Sequence, residues 1–157
     1  MNIFVLDLNP KKCAQYHGDI HVRKMLIEAS QLLSNAHTFY GSKRKSLCLP
    51  THTHHPCSIW AHQTRANYLW LLDLYVELHN EFMHRFKKAH ANYLNRYDAI
   101  SSPPTLLHGT ELTPFALAMP DEYKDKDGDA VASYRNYYTL HKQAMHKWTN
   151  RPTPEWL

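Results

Sequence analysis

Four polar side chains spaced three, four and three residues apart, His21, Lys24, Glu28 and Gln31, carry the clearest chemistry in the chain. At 3.6 residues per turn this spacing puts them on one face of a helix. A carboxylate and an imidazole within two turns, with an ammonium between them, can hold and move a proton. Half-burial brings the proton affinities of such groups toward neutrality. Asp19 adds a second carboxylate just before His21. The same spacing also makes Lys24 and Glu28 an ordinary surface i,i+4 pair, so the stripe reads equally as the solvated face of an amphipathic helix.

Three further groups bear chemistry. His17, Asp19 and His21, with His52, His54 and His55, are imidazole and carboxylate ligands of the type that hold zinc or another divalent ion. They suggest a metal-dependent hydrolase or nuclease using His17, Asp19, His21, His54 and His55, although H-x-D-x-H does not aim three side chains at one centre in a regular helix or strand. His55 is followed by Trp60, Arg65, Asn67, Tyr68 and Trp70. A half-buried Arg65 there would need an anion, Glu28 or a phosphate. Aromatics interleaved with arginine suit stacking on an unpaired base, or simply form core. Finally, Tyr134, Tyr137, Tyr138, His141, Met145 and Trp148 read as the core face of a last helix with some hydroxyls aimed into a site. Arg135, Lys142, Lys147 and Arg151 supply it with a cationic edge.

The elements that must position these groups follow from periodicity and punctuation. Ile3 to Leu8 reads as a short N-terminal strand, and Asn9-Pro10 as the cap and first position of a brief helix. Asp19 can cap a first long helix reaching about Tyr40 and stopping at Gly41, with Val22, Met25, Leu26, Ala29, Leu32, Leu33 and Ala36 as its buried stripe. Pro56 opens a second long helix running to about His90. Pro103-Pro104 marks a loop, Thr113-Pro114 starts a short helix from Phe115 to Met119, and Asp129 caps a last helix from Ala130 to about Trp148. The expected fold is mainly α: one compact domain over residues 1–157, a helical bundle with two long central helices and a short N-terminal strand.

Bulk properties restrict the classes. A chain of 157 residues that is 43% hydrophobic can build a core. No apolar run reaches membrane-span length, and Asp7 interrupts the first apolar segment, so neither a span nor a signal peptide is expected and the cytoplasm is the default location. Three scattered cysteines make no C-x-x-C pair. With four glycines and no G-x-G-x-x-G or P-loop, no nucleotide cofactor is expected. A net charge of +4 leans toward an anionic partner.

A histidine and a glutamate seven residues apart on the first helix, His55-Pro56 opening the next, and the tail Arg151-Pro152-Thr153 together resemble the phage endonuclease V family of pyrimidine-dimer DNA glycosylases. The whole chain is also similar to small phage-encoded proteins of unestablished activity. The resemblance implies a DNA glycosylase acting on a damaged or modified base turned out of a duplex, in the cytoplasm of a phage's host, with Glu28 as the essential carboxylate and His21 beside it. Arg23, Lys24, Lys43, Arg44 and Arg65 would then contact phosphates, with His55, Trp60 and Asn67 completing the nucleic-acid surface. In that family the nucleophile is an N-terminal amine freed by loss of the initiator methionine. Here Asn2 leaves Met1 in place, and the expected segment differs. A single-step reaction in which Glu28 or Asp19 activates water is the version that fits. A metal-dependent hydrolase and a non-enzymatic protein binding nucleic acid or a host factor are the alternatives.

Overall fold

The computed structural model describes residues 1–157 and is mainly helical, with no β-strand. Six α-helices follow in order: α1 Pro10–Tyr16, α2 Asp19–Phe39, α3 Pro56–Ala61, α4 Arg65–Phe86, α5 Ala91–Ile100 and α6 Ala130–His141. Single 3₁₀ turns occupy Asp121–Tyr123 and Gln143–Met145. No helix is long and apolar enough to cross a membrane.

The two long helices, α2 and α4, pack against each other, with α1 against α4 and α3 and α5 against α2. The α2 stripe is buried as its spacing demands: Val22, Leu26, Leu32, Leu33 and Ala36 are fully enclosed. They join Leu71, Leu74, Tyr75 and Leu78 of α4 in one continuous core cluster. Burying side chains of this size contributes roughly 1.5–3 kcal/mol each, so this interface dominates the stability of the fold.

Several expected boundaries are corrected. Ile3 to Leu6 is buried but pairs with no strand, and Phe4 within it has a left-handed φ of +52°. Several of the segment's backbone groups bond to side chains instead. Leu6 N–H donates to Cys13 Sγ (3.3 Å), Cys13 Sγ–H to the Phe4 carbonyl (3.3 Å), and Arg135 Nε to the Leu6 carbonyl (2.9 Å). Asp19 is the first residue of α2 rather than its cap. Gly18 occupies the cap, and Asp19 stands in the first turn, where the helix dipole favours an acid. The second long helix is interrupted. Thr64 is extended (φ −137°, ψ 155°) and its hydroxyl caps the Asn67 N–H, while the Arg65 and Ala66 amides donate to His108 and Gly109 carbonyls. The local Thr64 cap and the two long-range amide bonds together outcompete helix continuation through 62–64. That helix also stops earlier, at Phe86, because Lys87 adopts a left-handed conformation (φ 55°). Residues Phe115 to Met119 form no helix, since Thr113 and Ala118 amides are taken by Asn67 Oδ1 and the Tyr134 hydroxyl. The last helix ends at His141, and Trp148 lies beyond it, its indole N–H on the Tyr16 carbonyl.

A buried ionic cluster ties the chain's end to the start of α2. Arg85, its side chain fully enclosed, donates to Asp19 Oδ1 (3.0 Å), Glu81 Oε1 (2.6 Å) and the Gln15 carbonyl (2.9 Å). Thr149 donates to both oxygens of Asp19, and Arg151 to both of Glu81. This clamp sets where α2 begins, and so where His21 and Glu28 point.

Candidate active site

Glu28 sits at mid-helix on the margin of the apolar stripe, 13% exposed. Its Oε2 accepts the backbone N–H of Asn2 at 2.7 Å and lies 3.9 Å from the α-amine of Met1. Its Oε1 is 3.8 Å from Lys24 Nζ, one turn away on the same helix. The N-terminal residues are held there by burial of Ile3 to Leu6 and by Asn2 Nδ2, which donates to the Ala118 carbonyl at 2.8 Å. The carboxylate is therefore collared by two nitrogens from the start of the chain and one from its own helix.

These groups line a pocket of about 270 Å³. Met1, Asn2 and Phe4 form one wall, His21, Lys24 and Glu28 another, and Tyr137, Lys142 and Met145 close it from the C-terminal side. Ligand pockets span roughly 300–1,000 Å³, so this one is at the small end. Its titratable lining comprises one carboxylate, Glu28, with the Met1 amine, Lys24, Lys142, His21 and Tyr137. The Lys142 ammonium stands 4.7 Å from the Tyr137 ring centroid. A broader depression of about 590 Å³ at Arg23, Phe82, Phe86, Lys88 and His90 contains no carboxylate and is not where acid–base groups meet.

His21 is 3% exposed, packed against Phe4 (ring centroids 4.9 Å apart) with Nδ1 2.6 Å from the Tyr138 hydroxyl. Burial, reinforced by the positive field of His17, Lys142, Lys24 and His146, pushes its imidazole down to about 3. It is a neutral ring at any physiological pH. Phe4 adopts φ +52°, a left-handed conformation uncommon for a bulky residue. Its ring thereby sits among His17, His21, Tyr134, Tyr137 and Tyr138.

The stripe thus delivers three of its four members, His21, Lys24 and Glu28, to one pocket; Gln31 lies outside it. Other expected residues are placed elsewhere. Asp19 is consumed by Arg85 and Thr149, which hold its carboxyl below the usual range against the cost of burial, and it is unavailable to activate water. Arg65 is exposed at the start of α4 and does not reach Glu28, because the break at Thr64 turns that helix end outward. Asn67 is buried and braces Trp60 and Thr113, donating to the Trp60 carbonyl (2.9 Å) and accepting from the Thr113 N–H (2.9 Å). Trp60 is 2% exposed, stacked on Phe115 and edge-on to Trp70, so it is core and cannot stack on a base.

Among the basic residues, Arg44 ties down the end of α5 through the Ala99 carbonyl and Ser102. Lys43 is exposed in the neighbouring loop. Arg23 projects about 200° around α2 from His21, over the Phe86 ring at 5.4 Å. Only Lys24 of the expected phosphate contacts borders the pocket. No group of three or more His, Cys, Asp or Glu side chains is arranged to share a metal ion. His17 is buried with Nδ1 on the Cys13 carbonyl, His55 caps α3 through Nδ1 on the Cys57 N–H, and His54 is exposed. The five-residue metal set is dispersed.

Sequence reasoning set the N-terminal amine aside in favour of water and missed Asn2; the approach of both residues to Glu28 has no local signal, and the 3.9 Å between the Met1 amine and Glu28 brings the amine back into consideration. The Lys142 and Tyr138 contributions were signalled only as a cationic edge and an inward hydroxyl on the last helix. Comparison of the chain with models of known families, with characterised proteins and with solved structures finds no match.

Proposed function

We propose that the chain is a DNA N-glycosylase acting on a single damaged or modified nucleotide, with Glu28 as the catalytic carboxylate and the Met1 α-amine as nucleophile. The observation that carries this reading is the position of the Glu28 carboxylate, 3.9 Å from the Met1 amine and the one carboxylate in a pocket whose lining includes Lys24, Lys142, Phe4, His21 and Tyr137. Glu28 takes a proton from the Met1 ammonium. The freed amine bonds to the sugar C1′ as the C1′–N bond to the base breaks, and the base leaves with that electron pair and a proton. Loss of a second proton from nitrogen and opening of the sugar ring give an imine, which water cleaves. Lys24 and Lys142 at the mouth suit the flanking phosphates, and Phe4 and Tyr137 offer apolar walls to an extruded base.

The test uses duplex oligonucleotides carrying oxidised, alkylated, dimerised or hypermodified bases. Base release that Glu28→Gln abolishes while salt-sensitive DNA binding persists supports the reading. Borohydride should trap a protein–DNA adduct whose linkage maps to Met1, and residues appended before Met1 should prevent it. Release without a trapped adduct assigns the nucleophile to water activated by Glu28. Absence of release from every duplex, or full activity in Glu28→Gln, overturns the proposal.

A further inference from the structure

The Tyr138 hydroxyl joins the start of α2 to the pocket. It accepts the Gly18 backbone N–H at 2.7 Å and stands 2.6 Å from His21 Nδ1. The amide occupies the acceptor side of the phenol, and His21 Nδ1 is the only acceptor its own O–H reaches. The phenol is kept protonated by burial, which raises it well above its ordinary range. An imidazole that accepts at Nδ1 carries its proton on Nε2. Nε2 has no partner within the chain, and it is not sealed off from solvent as the orphaned Nε2 of His17 is. His21 is itself one of the residues that line the pocket.

We infer that Tyr138 is a positioning residue that fixes His21 as an uncharged Nε2–H donor facing the pocket, where it hydrogen-bonds an acceptor oxygen of the bound nucleotide. This rests on the glycosylase reading given above and adds the role of the imidazole. The oxygen best suited is a carbonyl of the departing base, on which negative charge grows as the C1′–N bond breaks. The surroundings all oppose an imidazolium. His17 lies before α2, Lys24 on it, Lys142 and His146 after α6, and Glu28 is already engaged by Met1, Asn2 and Lys24. The arrangement also explains Gly18. A Cβ there would stand 2.9 Å from the Met145 carbonyl and 3.3 Å from the Tyr138 hydroxyl, so a side chain would press on the Met145 backbone and nudge the phenol by a few tenths of an ångström.

The deciding measurement is a long-range ¹H–¹⁵N spectrum of the histidine rings of the full chain between pH 5 and 8. His21 should show the Nε2–H tautomer throughout, and Tyr138→Phe should convert it to a mixture of tautomers. A wild-type Nδ1–H tautomer, titration of His21 within this range, or an unchanged tautomer in a folded Tyr138→Phe variant overturns the inference. If Tyr138→Phe does not fold, kinetics of His21 variants decide. His21→Gln keeps an N–H donor at the Nε2 position but cannot titrate, and base release should fall by no more than about tenfold. His21→Leu should lose about 10²–10³-fold, the usual cost of one such donor. Equal losses in both variants would show that proton exchange, not donation, is the role of the ring. If no duplex releases a base, the glycosylase reading fails and the tautomer spectrum still settles the position of the proton.

Discussion

The Asn2 backbone N–H and the Glu28 carboxylate meet at 2.7 Å across 26 residues of chain, so the proposed catalytic group is also the anchor of the N-terminus. Glu28→Gln keeps an oxygen that can accept from Asn2, whereas Glu28→Ala leaves the Asn2 amide without an acceptor. Thermal melting should show Glu28→Gln close to the parent and Glu28→Ala destabilised by about 1–3 kcal/mol. Base release should fall by roughly 10²–10⁴-fold in both. Equal melting of the two variants would show that the anchor contributes nothing.

Arg85 is the centre of the clamp between Asp19, Glu81 and the Gln15 carbonyl, with no exposed side-chain surface. Removing it takes the enclosed cation from between two buried carboxylates and leaves Asp19 only Thr149 and Glu81 only the more exposed Arg151, so Arg85→Ala should cost about 3–5 kcal/mol in urea denaturation. Arg151→Ala removes a side chain that is 28% exposed and leaves Arg85 on Glu81, and should cost clearly less. The opposite ranking would contradict the assignment of Arg85 as the clamp.

Acid should unfold the protein through its enclosed imidazoles. Burial holds His17 and His37 down to about 4 and His21 to about 3, all below the ordinary value of 6.5. The unfolded chain therefore takes up protons below pH 6.5 that the folded chain refuses. Stability from these groups is complete above that pH and declines as pH falls toward 4. Each contributes about 1.4 kcal/mol per pH unit in that window, and the three together about 4. Against a total of roughly 5–15 kcal/mol, the loss places acid unfolding near pH 4 to 5. Urea midpoints that stay level from pH 7 to 4.5 would refute this.

Gly18→Ala places a methyl against the Met145 carbonyl, and backbone there yields less readily than a side chain. The expected loss is about 1–3 kcal/mol in thermal or urea unfolding, the range for overpacking a close contact. An alanine variant as stable as the parent would mean that the turn after α6 moves aside freely.

The parts of the fold carried by local pattern were legible. The 3-and-4 stripe of α2 predicted its burial, Asn9-Pro10 and Asp129 predicted their caps, and Asp129 does accept the Ala132 N–H. The placement of His21 and Glu28 on one face needed only helical geometry. What escaped depends on distant partners. An apolar run such as Ile3 to Leu6 reads as a strand unless one knows that Cys13 and Arg135 will bond to several of its backbone groups. Arg65 read as half-buried because nothing local shows that its amide and that of Ala66 will turn to the His108 and Gly109 carbonyls and break the helix before it. Trp60 and Asn67 have types equally suited to a base and to a core, and only the arrival of Phe115 and Thr113 decides for the core. Met1 meets Glu28 because residues 118–149 complete the far wall and fasten the start of α2.

That far wall has a consequence for biosynthesis. Residues 1–28 leave the ribosome first, yet the pocket needs Ala118, Tyr137, Lys142 and Met145, and the clamp needs Thr149 and Arg151. Through most of translation the apolar Ile3 to Leu6 segment waits without its final neighbours, while α2 and α4 can already pair. The site is completed only as the last residues emerge, so a message truncated in its final tenth yields all six helices but leaves the pocket without Lys142 and Met145 and the clamp without Thr149 and Arg151.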